Sequence, residues 1–267
     1  MEGAGRAKGR LTHTEGRVMA QKGFIEPGEK PRRFYAEVTV APGPGGWNVL
    51  LDGRPPRSSR GAALATPARA VAELAAAEWA AQAEHIDLAG MHATRLAFTA
   101  LEAIPAAREA VAGQVVNYAA SDLLCYPAEG PEGLCARQAE AWDPVLRQAR
   151  EALGVALEPS RGILHREQPA EALEVVRRLA RSVDDFTLSG LAFGAPLFGS
   201  AVLALGLWKG WFSGEVAFDL SRVDEAWQES QWGIDEEAAE RTARLRAEAR
   251  MLEAWFRGLE GPAVSPA

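Results

Sequence analysis

The spacing of apolar positions changes once along this chain, from a period of two to a period near 3.6. Over residues 33–51, RFYAEVTV alternates Phe34, Ala36, Val38 and Val40 with polar neighbours, APGPGG turns the chain and WNVLL follows, which predicts a β-hairpin. The next stretch, DGRPPRSSRGAALATP, is dense in Gly, Pro and Ser, so the β region is expected to be small and loop-bound. Thr66-Pro67 then offers an N-cap and first-turn pair, and Val71, Ala75 and Trp79 recur at i, i+4 and i+8, predicting a helix with one apolar face up to Gln82.

Almost everything after that reads helical. The pattern predicts helices over residues 93–103, 106–120 and 134–153, the last interrupted at Asp143-Pro144 and ended by Gly154. A Pro- and Gly-punctuated connection spans 155–168, and a periodic segment with Leu173, Val176 and Leu179 covers 169–181. Residues 187–208, TLSGLAFGAPLFGSAVLALGLW, carry no charge over 22 positions, a length that could span a bilayer. Four glycines, Pro196 and few large aliphatics favour a buried helical hairpin instead. A penultimate helix is expected over 213–232, ended by Gly233, and Asp235 is expected to cap a last helix with Glu236 and Glu237 in its first turn and Arg250 and Arg257 toward its end. The expected class is α+β: a tail over residues 1–30, a β-rich domain over 31–65 and an α-helical domain over 66–267.

Charge narrows the partners. The formal net charge is −7, yet residues 1–33 hold eight Lys/Arg against four Asp/Glu, leaving about −11 on the body. A body that acidic is a poor nucleic-acid binder, because phosphate contacts need a basic stripe and none follows Arg33. The two cysteines, Cys125 and Cys135, fit neither a zinc pattern nor a disulfide-stapled fold, so a reducing compartment is expected. The first thirty residues lack the apolar core of a secretory signal and an uninterrupted Arg-rich amphipathic stretch, and Met19 is a second candidate start.

Catalytic signatures are absent: no G-x-G-x-x-G after a strand, no G-x-x-x-x-G-K-[ST], no G-x-S-x-G and no H-E-x-x-H. None of His13, His85, His92 and His165 stands in an E-x-x-H setting of the di-iron kind, and Glu84-His85 and His165-Arg166-Glu167 read as surface or loop pairs. No cofactor is expected. The most unusual stretch is 224–240, DEAWQESQWGIDEEAAE, with seven carboxylates, two tryptophans and no Lys or Arg. At helical spacing Asp224, Gln228 and Gln231 share one face and Glu225 and Glu229 another, so the carboxylates spread rather than converge. A solvated acidic face, a partner-binding face anchored by tryptophan, and a metal site are its three readings. Trp79 on its apolar stripe reads as core; Glu78 and Gln82, one turn apart, read as a hydrogen-bonded pair or as surface, and Asp122 as a cap or a buried turn contact.

Taken in order, the phrases RFYAEVTV, VLLDGRP, AAEWAAQ, NYAASDLLCYPA, AWDPVL and LSRVDEAWQESQWGIDEEA resemble the assembly chaperones of F-type ATP synthase that hold the free alpha subunit of the catalytic head. The likeness runs from about Arg33 into the last helix, with departures at Pro56, Ser58-Ser59 and Pro127. It implies a small β domain joined to a larger helical one, and binding rather than catalysis: the chaperone covers the alpha-subunit surface that the beta subunit later occupies, without nucleotide. The resemblance also implies structural roles for the motif positions Glu78, Trp79, Gln82, Asp122, Trp142 and Asp143. It points to an alpha-subunit contact through Asp224, Glu225, Gln228, Trp232, Glu236, Glu237 and Glu240, which Glu236→Lys or Glu240→Lys should break. A bacterial cytoplasm, or a mitochondrial matrix in a eukaryote, a monomer and no stable membrane insertion complete the expectation. The alternative is a carboxylate-metal hydrolase using Asp224, Glu225 and Glu229.

Overall fold

Asp52 sets the start of the sheet. In the computed structural model, which describes residues 30–160, 167–233 and 236–260, the Asp52 carboxylate accepts from the amides of Ala36 (3.1 Å) and Glu37 (2.8 Å). Two successive N–H groups turned to one carboxylate cannot both face a neighbouring strand, so β1 begins only at Val38. The alternation expected at Phe34 and Ala36 therefore fails: Phe34 is exposed and Tyr35 turns inward, its hydroxyl donating to the Trp79 carbonyl at 2.6 Å. β1 (Val38–Gly43), β2 (Gly46–Leu51) and β3 (Ala65–Thr66) form an antiparallel sheet in that order, with Val40 opposite Val49 and Gly43 opposite Gly46.

Thr66 ends β3 rather than capping a helix. Its hydroxyl donates to the Ala68 carbonyl at 2.9 Å, and α1 (Arg69–Ala80) starts after Ala68. Val71, Ala72, Ala75 and Trp79 form the buried stripe of α1, as the spacing predicts. α2 (His92–Phe98) runs through a π turn over Thr99–Ala103 into α3 (Ile104–Ala120), whose first turn takes Pro105 where a missing N–H is tolerated. The break expected in this stretch is thus a change of helical pitch, followed by a kink at Ala107, whose backbone leaves the helical region (φ −142°, ψ 32°).

α4 (Glu132–Leu153) passes straight through Pro144, against the interruption expected there. Trp142, Val145, Leu146 and Ala149 lie buried on one stripe on both sides of the proline, and that shared burial outweighs one lost backbone bond, whose removal costs about 3 kcal/mol in a helix interior. Gly154 ends α4 in the left-handed conformation, at φ 73°. α5 (Ala170–Ser182) follows.

The uncharged segment is a buried hairpin: α6 (Asp185–Phe198), a turn at Gly199, and α7 (Ala201–Trp208). Asp184 caps α6 through the amides of Phe186 and Thr187. α6 crosses the long terminal helix, α10 (Glu236–Glu260), closely enough that a Cβ on Gly190 would come within 2.6 Å of Phe256 and one on Gly194 within 2.8 Å of Leu252. This crossing accounts for two of the four glycines that weakened the segment as a membrane span, and the turn at Gly199, with φ 62°, for a third. No helix among the described residues is long and apolar enough to cross a membrane.

The single helix expected over 213–232 is two: α8 (Gly214–Leu220), capped by Ser213, and α9 (Val223–Trp232), with Gly233 at its end. The Leu220 carbonyl accepts from the Trp142 indole at 2.9 Å, a partner from outside the helix, and the chain turns at Ser221 and Arg222. The expectations placed on residues 1–29, including His13 and Met19, on His165 and on the Asp235 cap lie outside the described residues.

Candidate functional site

α9 and the start of α10 carry the acidic stretch, and α4 positions it. Trp227 lies on α4 where Gly133 leaves room: a Cβ there would meet the indole at 2.6 Å. The Arg137 guanidinium covers the same ring at 5.0 Å from its centroid. Buried Gln138 donates to the Asp224 carboxylate and accepts from the Ala128 amide at 2.7 Å, tying α9 to the loop before α4. Trp142, one turn further along α4, holds the α8–α9 junction through Leu220.

Glu225 and Glu229 share one environment, whereas Asp224 parts from Gln228 and Gln231, with which it shares helical spacing. Arg222 reaches Glu225 at 3.4 Å and Glu229 at 3.6 Å, so these carboxylates are paired within their own helix. Asp224 faces α4, while Gln228 is exposed and Trp232 stands 79 % exposed at the helix end. Glu240 is exposed on α10; Glu236 and Glu237 lie in the first turn of that helix, with their side chains outside the described residues. Of the carboxylates proposed for a metal, Asp224 is held by Gln138 while Glu225 and Glu229 share Arg222, and no group of three or more His, Cys, Asp or Glu suited to a metal ion occurs among the described residues.

The motif residues from the rest of the chain act on the framework. Glu78 and Gln82 are not paired through their head groups. The Glu78 carboxylate crosses from α1 to the N-terminus of α2, accepting from the amides of Ala93 (2.7 Å) and Thr94 (2.8 Å). Burial raises its pKa, and these donors offset that only in part. Gln82 donates to the Glu78 carbonyl at 2.9 Å and accepts from the Asp87 amide at 2.7 Å. His92, in the first turn of α2, lies 3.6 Å from Glu248 of α10 and against the Phe193 ring. Asp122 caps the turn Leu123–Cys125 and reaches the N-terminus of α7 through the Val202 amide at 3.0 Å. Asp143 is exposed on α4. Both cysteines are free, and burial, with the Asp122 charge beside it, pushes the Cys125 thiol up to about 12, which removes it as a nucleophile.

Two residues essential to the site's geometry escaped the sequence reading. Arg222 was legible, because it precedes Glu225 by three positions on one helix. Gln138 was not, since 86 residues separate it from Asp224.

Similarity to known proteins agrees with this architecture. Residues 32–150 match the sequence profile of a family described as ATP12 chaperone protein. The chain is 25 % identical over 225 residues to the mitochondrial protein atp12 of Schizosaccharomyces pombe, covering 78 % of this chain and 76 % of the relative. Among solved structures it resembles Atp12 from Paracoccus denitrificans, with 37 % identity, a TM-score of 0.77, and coverage of 85 % of this chain and 97 % of that one. It also resembles the Atu1473 protein of Agrobacterium tumefaciens, with 40 % identity, a TM-score of 0.80 and 86 % of each chain covered. With sequence likeness and fold coinciding over most of its length, this chain belongs to the ATP12 chaperone family.

Proposed function

We propose that this protein is a non-enzymatic assembly chaperone that binds the unassembled alpha subunit of the F-type ATP synthase catalytic head and prevents its aggregation until the beta subunit replaces it. The observation that carries the reading is Trp232: a large aromatic ring, 79 % exposed, at the tip of a helix whose neighbours are carboxylates. Exposed tryptophan beside polar groups is the composition of an interface anchor, whereas a merely solvated acidic face gains nothing from it. Gln228, Glu240 and, through their place in the chain, Glu236 and Glu237 extend this surface; Asp224 and Glu225 hold its geometry through Gln138 and Arg222.

Acidic side chains around an aromatic anchor fit a partner surface with basic groups beside an apolar recess, as on a subunit whose own neighbour has not yet docked. Exchange then follows from competition: the beta subunit covers the same surface with a larger interface, and no nucleotide is consumed. The reading places the protein as a monomer where the alpha subunit assembles, in the cytoplasm of a bacterium or the mitochondrial matrix of a eukaryote. Size-exclusion chromatography of the chain with the alpha subunit from its own organism, with and without beta, tests it. A 1:1 peak that beta dissolves is the expected result. Alpha that aggregates as before, with no shifted peak, overturns the proposal.

A further inference from the structure

A cavity of about 400 Å³ opens between the loop after β2 and the first helices, and none of its walls belongs to α9 or α10. Its size is that of a pocket for a side chain or small ligand. Trp79, Leu88 and Phe98 give it apolar walls, and Leu88 is 45 % exposed. The indole N–H of Trp79 is buried without a hydrogen-bond partner, a condition that native interiors rarely tolerate. One wall is the π turn Thr99–Ala103, a local geometry that recurs at functional sites.

The cationic side is equally specific. Arg57, Arg60 and Arg95 all line the cavity, and none has a carboxylate within ion-pair distance among the described residues. Arg57 donates to the Gly61 carbonyl at 2.7 Å and Arg95 to the Ala89 carbonyl at 3.0 Å, which orients them without neutralising them. The acid in the same wall, Glu102, is engaged by the Ser58 hydroxyl and the Ala62 amide. A phosphate would need the loop amides, but those of Arg60, Gly61 and Ala62 already point to Ser58 Oγ, at 3.2, 3.1 and 3.1 Å. Guanidinium groups, apolar walls and one unmet N–H donor remain, and together they suit a carboxylate carried beside an apolar group.

We propose that this cavity is a second docking site, which takes an acidic segment of a partner polypeptide that presents a carboxylate next to an apolar side chain. The apolar side chain lies against Leu88 and Phe98, the carboxylate meets the three arginines, and an oxygen of the segment accepts from Trp79. The body as a whole is acidic, so an acidic segment is drawn to it only where cationic groups gather, as the three arginines do here. This inference stands independently of which ATP synthase subunit α9 meets.

Fluorescence anisotropy of the full chain with a fluorescein-labelled peptide of alternating Glu and Leu tests it at low salt. Binding is expected for the native chain and for Trp232→Ala. Arg60→Glu with Arg95→Glu, both exposed positions, should weaken it about tenfold, and Trp79→Phe, which keeps an aromatic side chain but loses the N–H, about fivefold. Hexanoate and inorganic phosphate at the peptide's own concentration should leave it bound. Failure of the native chain to bind, equal binding by the double arginine variant, or displacement by either small anion would each overturn the assignment.

Discussion

Asp122 offers a direct test of how the buried polar framework is held. Its side chain is fully buried, accepting from the amides of Leu124 at 3.1 Å and Val202 at 3.0 Å, with the Ser200 hydroxyl and the Ala201 amide also directed at it. Burial nevertheless dominates and pushes the carboxyl from 3.8 up to about 6. The folded state therefore holds its proton over a range in which the unfolded chain has already lost it. Because the folded state binds more protons between about pH 4 and 6, stability falls as pH rises through that window. The contribution is complete below pH 3.8 and gone above about 6. At about 1.4 kcal/mol per pH unit the loss is about 3 kcal/mol.

Asp122→Asn is close in shape and cannot ionise. Its amide turns one N–H₂ toward donors, a penalty of about 1–3 kcal/mol that does not change with pH. The stability difference between the native chain and Asp122→Asn should thus shift by about 3 kcal/mol in favour of the variant between pH 4 and pH 7. Denaturant titrations of both proteins at several pH values measure that difference, and contributions from other titrating groups cancel in it. A difference that stays constant, or that moves toward the native chain as pH rises, would refute the reasoning.

Other perturbations separate framework from surface. Glu78→Ala removes the acceptor for two amides at the start of α2 and should cost about 2 kcal/mol, seen as a lower denaturation midpoint with an unchanged slope. Gly214→Ala would place a Cβ 2.2 Å from the Ala249 carbonyl oxygen, a backbone atom that cannot swing away, so α8 must shift off α10 at a cost of about 3 kcal/mol, measurable by calorimetry. Trp232→Ala should leave stability within about 0.5 kcal/mol of native and weaken alpha-subunit binding by about 2 kcal/mol or more in calorimetric titration. Glu240→Lys, also at an exposed position, should lower the same affinity without moving the unfolding temperature; normal binding by both variants would place the interface elsewhere.

Periodicity alone determined much of this protein. The change from alternation to a 3.6 period separates the β1–β2 hairpin from a long helical region, and the Val71–Ala75–Trp79 stripe is buried as its spacing requires. An uncharged segment broken by four glycines and Pro196, with few large aliphatics, already implied a buried hairpin rather than a membrane span. These features are local: a residue and its neighbours within a turn or two contain the information. The acidic, tryptophan-bearing stretch was visible for the same reason; Arg222 beside Glu225 is just as local, but its pairing emerged only with the structure.

Tertiary structure decided where one element borrows a group from another. Helix 213–232 divides because an indole 78 residues away takes the Leu220 carbonyl, and Thr66 loses its capping role because β3 claims it. Pro144 fails to break α4 because the residues around it share one buried stripe. Glu78 faces α2 rather than Gln82, and Asp224 faces Gln138. In each case a hydrogen bond or buried surface brought by a distant segment outweighs a local preference of about 1–3 kcal/mol. The pairing of distant segments is settled by packing, and a chain read residue by residue does not contain it.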